Sequence, residues 1–382
     1  MTRRAASRLP SVGTTIFTVM SQLAVRHSAV NLGQGFPDFD CDPRLQQLMD
    51  DAVRSGQNQY APMIGVASLR EIIARKNASL YGHATNPDTE VTITAGATQA
   101  IMAAVLALVH PGDEVIILEP AYDSYAPSIT LAGARPVAVP LDAARDYAPD
   151  WDRVRGAITP RTRLLMLNFP HNPSGRVLRD EDLAALESIV TDTGVLLMSD
   201  EVYEHIVFDG VEHRSLLRSP LLAASSVVIS SFGKTCSTTG WKVGYACAPA
   251  SLTDELRKVH QFMVFAVNTP AQHALANYLT DSPWQTLNTF YQAKRDLFID
   301  GLRASRLRIL PCEGTYFVLA DYSNISSESE LDFARRLTTE FGVAAIPLSV
   351  LYESPVDHGV VRFCFAKKDD TLREALRRLQ TI

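Results

Sequence analysis

The chain has 382 residues, a formal net charge of −6, and 46% hydrophobic against 20% charged residues. That length exceeds one simple core and implies two domains, or one large α/β domain with an appendage. The acidic balance excludes a nucleic-acid binder working through a general basic field, and also a polybasic membrane anchor. The five cysteines, Cys41, Cys236, Cys247, Cys312 and Cys364, show no metal-type spacing and read as reduced thiols of a cytoplasmic protein. The opening MTRRAASRLP is basic but lacks an apolar segment, so it does not read as a secretory signal. No apolar run reaches membrane-spanning length; AIMAAVLALV at 100–109 reads as a buried helix.

Taken in chain order, VTIT (91–94) reads as a strand, followed by a helix over about 97–109. EVIILE (114–119), RPVAVP (135–140), RLLMLN (163–168), GVLLMSD (194–200), SVVISS (226–231) and KVGYACA (242–248) follow as strands between helical patterns. Continuous apolar strands separated by helices predict a mostly parallel sheet covered on both faces. After Asn268 the pattern changes to helical TPAQHALANYL and FYQAKRDLFIDGL, then short strands in RLRILP, GTYFVLADY and VVRFCFA. The sequence therefore predicts an α/β fold: a large domain over 45–268 with a mostly parallel mixed sheet between helices, and a smaller α+β domain built from 1–44 and 269–382.

Ligands of such sheets bind beyond the carboxyl ends of the strands, and five stretches fall there. AGATQA puts Gly96, Ala97 and Thr98 at a strand-to-helix junction, where free N–H groups suit a phosphate. EPAYDSY places Tyr122 after a strand, as a stacking ring or a packed core tyrosine. NFPHNPSG forces a tight loop that can aim the Asn172 amide at a ligand, or serve only as a turn. SDEVYEHI closes a strand with Asp200, a carboxylate that needs a cation or acts as a helix cap; Tyr203 follows as a phenolic donor. SSFGKTCSTTGWKVG holds Lys234 between Gly233 and Thr235 in a run poor in charge, with Ser231 and Lys242 flanking it as phosphate ligands. Together these describe a cradle for pyridoxal 5′-phosphate, with the lysine amine on the aldehyde and the aspartate on the ring nitrogen.

With those residues set out, the chain resembles the pyridoxal-phosphate-dependent aminotransferases of class I/II, fold type I. SFGKTCSTTGWKVGYACAP is similar to that family's lysine motif and HNPSG to its HNPTG loop; NLGQGFPDF, SDEVYEHI and EGTYF also fit. NQYAPMIGVASLRE, VNTPAQHALA and GVAAIPLSV resemble the methionine and kynurenine aminotransferase-like branch. The resemblance makes Lys234 the covalent anchor of the cofactor and Asp200 the partner of its ring nitrogen. It implies that Asn172 and Tyr203 bond the ring hydroxyl, that Tyr122 stacks, and that Gly96, Ala97, Thr98, Ser231 and Lys242 hold the phosphate. It implies further that Gly35 and Arg362, with Asn172, bind the substrate carboxylate, and that Tyr60 reaches a neighbour's phosphate across a homodimer with shared active sites. Where the family carries an aromatic residue two positions after the lysine, this chain has Cys236.

The expected reaction moves the amino group of an L-amino acid, with methionine or another apolar or aromatic side chain favoured, to a 2-oxo acid. No metal, nucleic acid or membrane is expected to take part. A carbon–sulfur β-lyase using the same first steps, and a non-catalytic pyridoxal-phosphate-binding protein, are the alternative readings.

Overall fold

The computed structural model describes residues 6–10 and 12–382, so half of the basic N-terminal run lies outside the described residues. Seven strands form the central sheet: β1 (Val91–Thr94), β2 (Glu114–Glu119), β3 (Arg135–Pro140), β4 (Thr162–Asn168), β5 (Leu196–Asp200), β6 (Ser226–Ser231) and β7 (Gly244–Cys247). Each matches an expected strand to within two residues. Their spatial order is β1-β7-β6-β5-β4-β2-β3. Strand β7 is antiparallel to both neighbours, and the other pairs are parallel.

Strand β2 shows why these runs are apolar throughout. All six of its residues are buried. Successive side chains point to opposite faces. Val115 and Ile117 join Ile101 and Ala104 of helix Ala97–Leu108, while Ile116 and Leu118 join Leu186 and Ile189 of helix Asp180–Thr193. Both faces are roofed by helices, so the interior of the strand is apolar, and its polar residues, Glu114 and Glu119, stand at its two ends.

A second, antiparallel sheet comprises β8 (Arg308–Ile309), β9 (Phe317–Asp321), β10 (Ile346–Pro347) and β11 (Val360–Cys364) in the order β10-β11-β9-β8. Its core draws Met20 and Leu32 from the start of the chain together with Phe298, Phe333, Phe363 and Leu372 from the end. Val30–Asn31 also pairs in parallel with Val343–Ala344. Helix Thr269–Leu279 instead packs on helices Pro43–Arg54 and Ala67–Tyr81, where Ala271 and Leu275 meet Leu45 and Leu69 beside the first sheet. No helix among the described residues is long and apolar enough to cross a membrane.

The sheet register decides what gathers at one edge. Asn168 and Asp200 are paired at the ends of β4 and β5, and Gly244 is paired with both Ser231 and Thr94. The carboxyl ends of four parallel strands and the start of β7 therefore open into one crevice, between the first sheet and the second.

Candidate active site

A cavity of about 480 Å³ fills that crevice and reaches from Ala97 and Thr98 to Arg362. One end is made of backbone. Gly96 caps helix Ala97–Leu108 with φ +76°, a conformation that disfavours side chains, and no side chain satisfies the first N–H groups of the helix. A Cβ on Gly96 would lie 3.3 Å from Lys242 Nζ. A Cβ on Gly244 would lie 2.7 Å from the Ser230 carbonyl oxygen and 3.0 Å from Ala97 N, so only glycine lets β7 approach the helix start. The hydroxyl of Ser231 accepts from Gly233 N at 3.2 Å, and Ser231 and Lys242 line the same end.

The middle of the cavity holds a buried carboxylate. Asp200 Oδ2 accepts from the Tyr125 hydroxyl at 2.7 Å, and its Oδ1 from Val202 N at 3.3 Å. Both donors are neutral. Burial pushes its pKa up to about 6, against the lowering effect of the Tyr125 hydroxyl. No helix follows Asp200; residues 202–205 form turns, so it is not a helix cap. Asn168 fixes the neighbouring loop: its amide donates to the Asp200 carbonyl at 2.9 Å and its Oδ1 accepts from Asn172 N at 3.0 Å. Both X-Pro bonds of that loop, Phe169–Pro170 and Asn172–Pro173, are cis. Tyr122 is partly buried against Tyr125, edge to face at 5.7 Å.

The third part is cationic. Lys234 Nζ donates to the Tyr316 hydroxyl at 2.7 Å and to the Gly35 carbonyl at 3.1 Å. It lies 5.7 Å from the ring centre of Tyr203, which packs edge-on to Tyr316. Burial pulls its pKa down to about 8. Arg362, on β11, is 1% exposed and lies 4.0 Å from the ring centre of Phe317. Its fork donates to Asn172 Oδ1 at 2.8 Å and to the Gly33 carbonyl at 3.0 Å, while its buried Nε has no partner. It pairs with no carboxylate among the described residues, so an internal ion pair does not account for it.

Gly35, Ala97, Thr98, Tyr122, Asn172, Asp200, Tyr203, Ser231, Lys234, Lys242 and Arg362 thus line one cavity, with Gly96 directly behind Lys242. Tyr60 does not join them. It is 81% exposed and stands edge-on to Phe265 at 5.1 Å. Cys236 is buried with Leu45 and Phe232 and does not line the cavity. Sequence reasoning missed Tyr125, Asn168 and Tyr316. Asn168 carried a usable signal, a polar residue ending an apolar strand beside the strand that ends in Asp200.

The description "Aminotransferase class I and II" belongs to the family model that matches residues 27–379. Methionine aminotransferase of Escherichia coli strain K12 is 50% identical over 98% of both chains. A probable N-succinyldiaminopimelate aminotransferase of Mycobacterium tuberculosis is 43% identical, also over 98% of each. A crystal structure from Escherichia coli, described as identifying a methionine aminotransferase function, superposes with a TM-score of 0.97, at 50% identity over the whole of both chains.

Proposed function

The chain belongs to the class I and II aminotransferases and is a pyridoxal-phosphate-dependent transaminase; from that premise we propose that the cavity transfers the amino group of methionine, or of another amino acid with an apolar or aromatic side chain, to a 2-oxo acid. The observation that carries the reading is the convergence of Asp200, Lys234 and Arg362, three buried charged groups with neutral neighbours, on one cavity. The cofactor's charges are complementary to theirs. A protonated ring nitrogen would compensate the Asp200 carboxylate, and a phosphate would meet the bare helix start at Gly96, Ala97 and Thr98, with Ser231 and Lys242 beside it. The relative named for methionine, and the phenylalanines Phe17, Phe36 and Phe317 in the cavity wall, support the substrate class.

When bound, pyridoxal 5′-phosphate supplies an electron sink for the carbanion at the substrate Cα. The chain does the rest. Arg362 and Gly35 would hold the substrate carboxylate, and Asn172, fixed by Arg362 and Asn168, would hold the bound cofactor together with Tyr203. Tyr122, in the cavity wall, would pack against the bound cofactor. The Lys234 amine would take the proton from the substrate Cα and hold it; burial, which pulls its pKa down to about 8, favours the neutral amine able to accept it.

We propose further a cytoplasmic homodimer with shared sites and the division of the chain into 45–268 against 1–44 with 269–382. The exposed Tyr60, Phe262 and Phe265, outside their own cavity, support an interface. Helix Thr269–Leu279, which packs on helices of the large domain, is the one exception to that division.

A panel of amino donors against one 2-oxo acid tests the reaction, with Lys234→Ala as the inactive control. Formation of a new 2-oxo acid without ammonia is expected. Ammonia and pyruvate from sulfur-containing donors would replace transamination by β-elimination.

A further inference from the structure

The segment Gly33–Phe36 is a wall with a cavity on either side. Gln34 and Phe36 line both the catalytic cavity and an outer groove that also contains Lys367 and Asp38. Each of its four consecutive carbonyls is held by a side chain. Arg362 takes Gly33 O at 3.0 Å, and Lys234 and Tyr316 take Gly35 O at 3.1 and 2.6 Å, all from the catalytic side. Lys367 takes Gln34 O at 3.3 Å and Phe36 O at 2.6 Å from the outer side. Lys367 is 3% exposed, and its ammonium forms no ion pair among the described residues; its contacts are these two carbonyls and the Phe36 ring, 5.2 Å away. A buried ammonium without an anion is costly unless its hydrogen bonds are used.

Two of the holds on this wall are temporary under the proposed function. Lys234 serves in turn the cofactor and the proton of the substrate Cα, and Arg362 serves the substrate carboxylate. Tyr316 keeps only Gly35. Lys367 does not line the catalytic cavity, and it bonds Gln34 O and Phe36 O from the outer side. We propose that Lys367 is a positioning residue of the substrate site, fixing Gly33–Phe36 so that Gly35 and Phe36 keep their places when Lys234 and Arg362 let go.

The inference rests on the proposed roles of Lys234 and Arg362, and the experiment separates the two. In the cofactor-loaded enzyme, Lys367→Gln should raise KM for methionine about tenfold while kcat stays within about twofold, and Lys367→Arg should recover most of the loss. Exchange of the Gly33 and Gln34 amides, which donate to Asn31 Oδ1, should quicken in Lys367→Gln and stay slow in the wild type, with or without cofactor. A folded Lys367→Gln enzyme with unchanged KM and unchanged exchange would overturn the proposal. Fast exchange of the Gly33 and Gln34 amides in the wild type once cofactor is loaded would also overturn it, and needs no variant. A wild type that transaminates no amino acid would instead overturn the proposed function, while the exchange measurement would still report whether Lys367 holds the wall.

Discussion

Asp200 and Glu204 are buried carboxylates four residues apart, and they are solvated in opposite ways. Glu204 sits in a sealed cluster behind the cavity. It meets the Lys76 ammonium at 2.5 Å and accepts from the hydroxyls of Tyr81, of Ser230 at 2.7 Å and of Tyr245 at 2.8 Å. Burial alone would raise its pKa, but Lys76 and His205 outweigh that and hold it well below the carboxylate range. Asp200 has one hydroxyl and one amide, no cation, and a pKa raised to about 6. The same contrast separates Lys76, which is paired, from Lys234 and Arg362, which meet only neutral oxygens. Where the chain satisfies its own buried charges it is building structure. Where it leaves them short, the missing partners are ligands.

The contrast can be broken by substitution. Glu204→Gln strands the Lys76 ammonium in the interior and should cost about 3–5 kcal/mol of stability in denaturant unfolding, with turnover per folded molecule close to wild type. If turnover falls and stability does not, the assignments of the two carboxylates are reversed. Asp200→Asn should do the opposite in the loaded enzyme: kcat falls by about 10²–10³, the range for loss of one preorganised electrostatic contact, while the fold survives.

Without cofactor the sign for Asp200 changes. Its folded pKa, about 6, lies above its ordinary 3.8, so the native state binds the proton more tightly than the unfolded chain does. The resulting penalty is absent below about pH 4, grows between pH 4 and 6, and is complete above. Asp200→Asn should therefore stabilise the cofactor-free protein at pH 7.5 by at most about 3 kcal/mol, and by little at pH 4. Thermal melts of both proteins at the two pH values measure the difference; a constant difference would mean that Asp200 does not titrate in this way.

The smallest effect expected is at Arg362. A hydrogen bond to a charged group is worth about 1.5–3 kcal/mol, so Arg362→Lys should lower kcat/KM for methionine by about tenfold to a few hundredfold. A decarboxylated analogue should lose far less, because it never used the fork. Equal losses on both compounds would move Arg362 to the structural side of the comparison.

Much of this was legible in the sequence because strands buried on both faces must be apolar throughout, and polar residues that end them stand out. Asp200 and Ser231 end such strands, Asn172 was read from the tight X-Pro loop after one and Lys234 from the charge-poor run after another, and all four line one cavity. Tyr125 was not legible: its hydroxyl reaches Asp200 from a helix 75 positions away, and local pattern carries no trace of that contact. Glu204 and Lys76, 128 positions apart, are silent for the same reason. The packing of helix Thr269–Leu279 escaped too, because the change of pattern after Asn268 marks where strands stop and says nothing about which core the next helix joins.

The strand order also has a consequence for synthesis. Strand β1 hydrogen-bonds to β7 alone within its sheet, and β7 begins at Gly244, about 150 residues after β1 ends at Thr94. At ribosomal rates of roughly 5–20 residues per second, β1, its backbone N–H and C=O groups unpaired, waits about 8–30 s for its partner to emerge. During that interval it is an unpaired strand able to join other chains. Midway through translation the nascent polypeptide therefore carries an open strand edge for chaperones to cover.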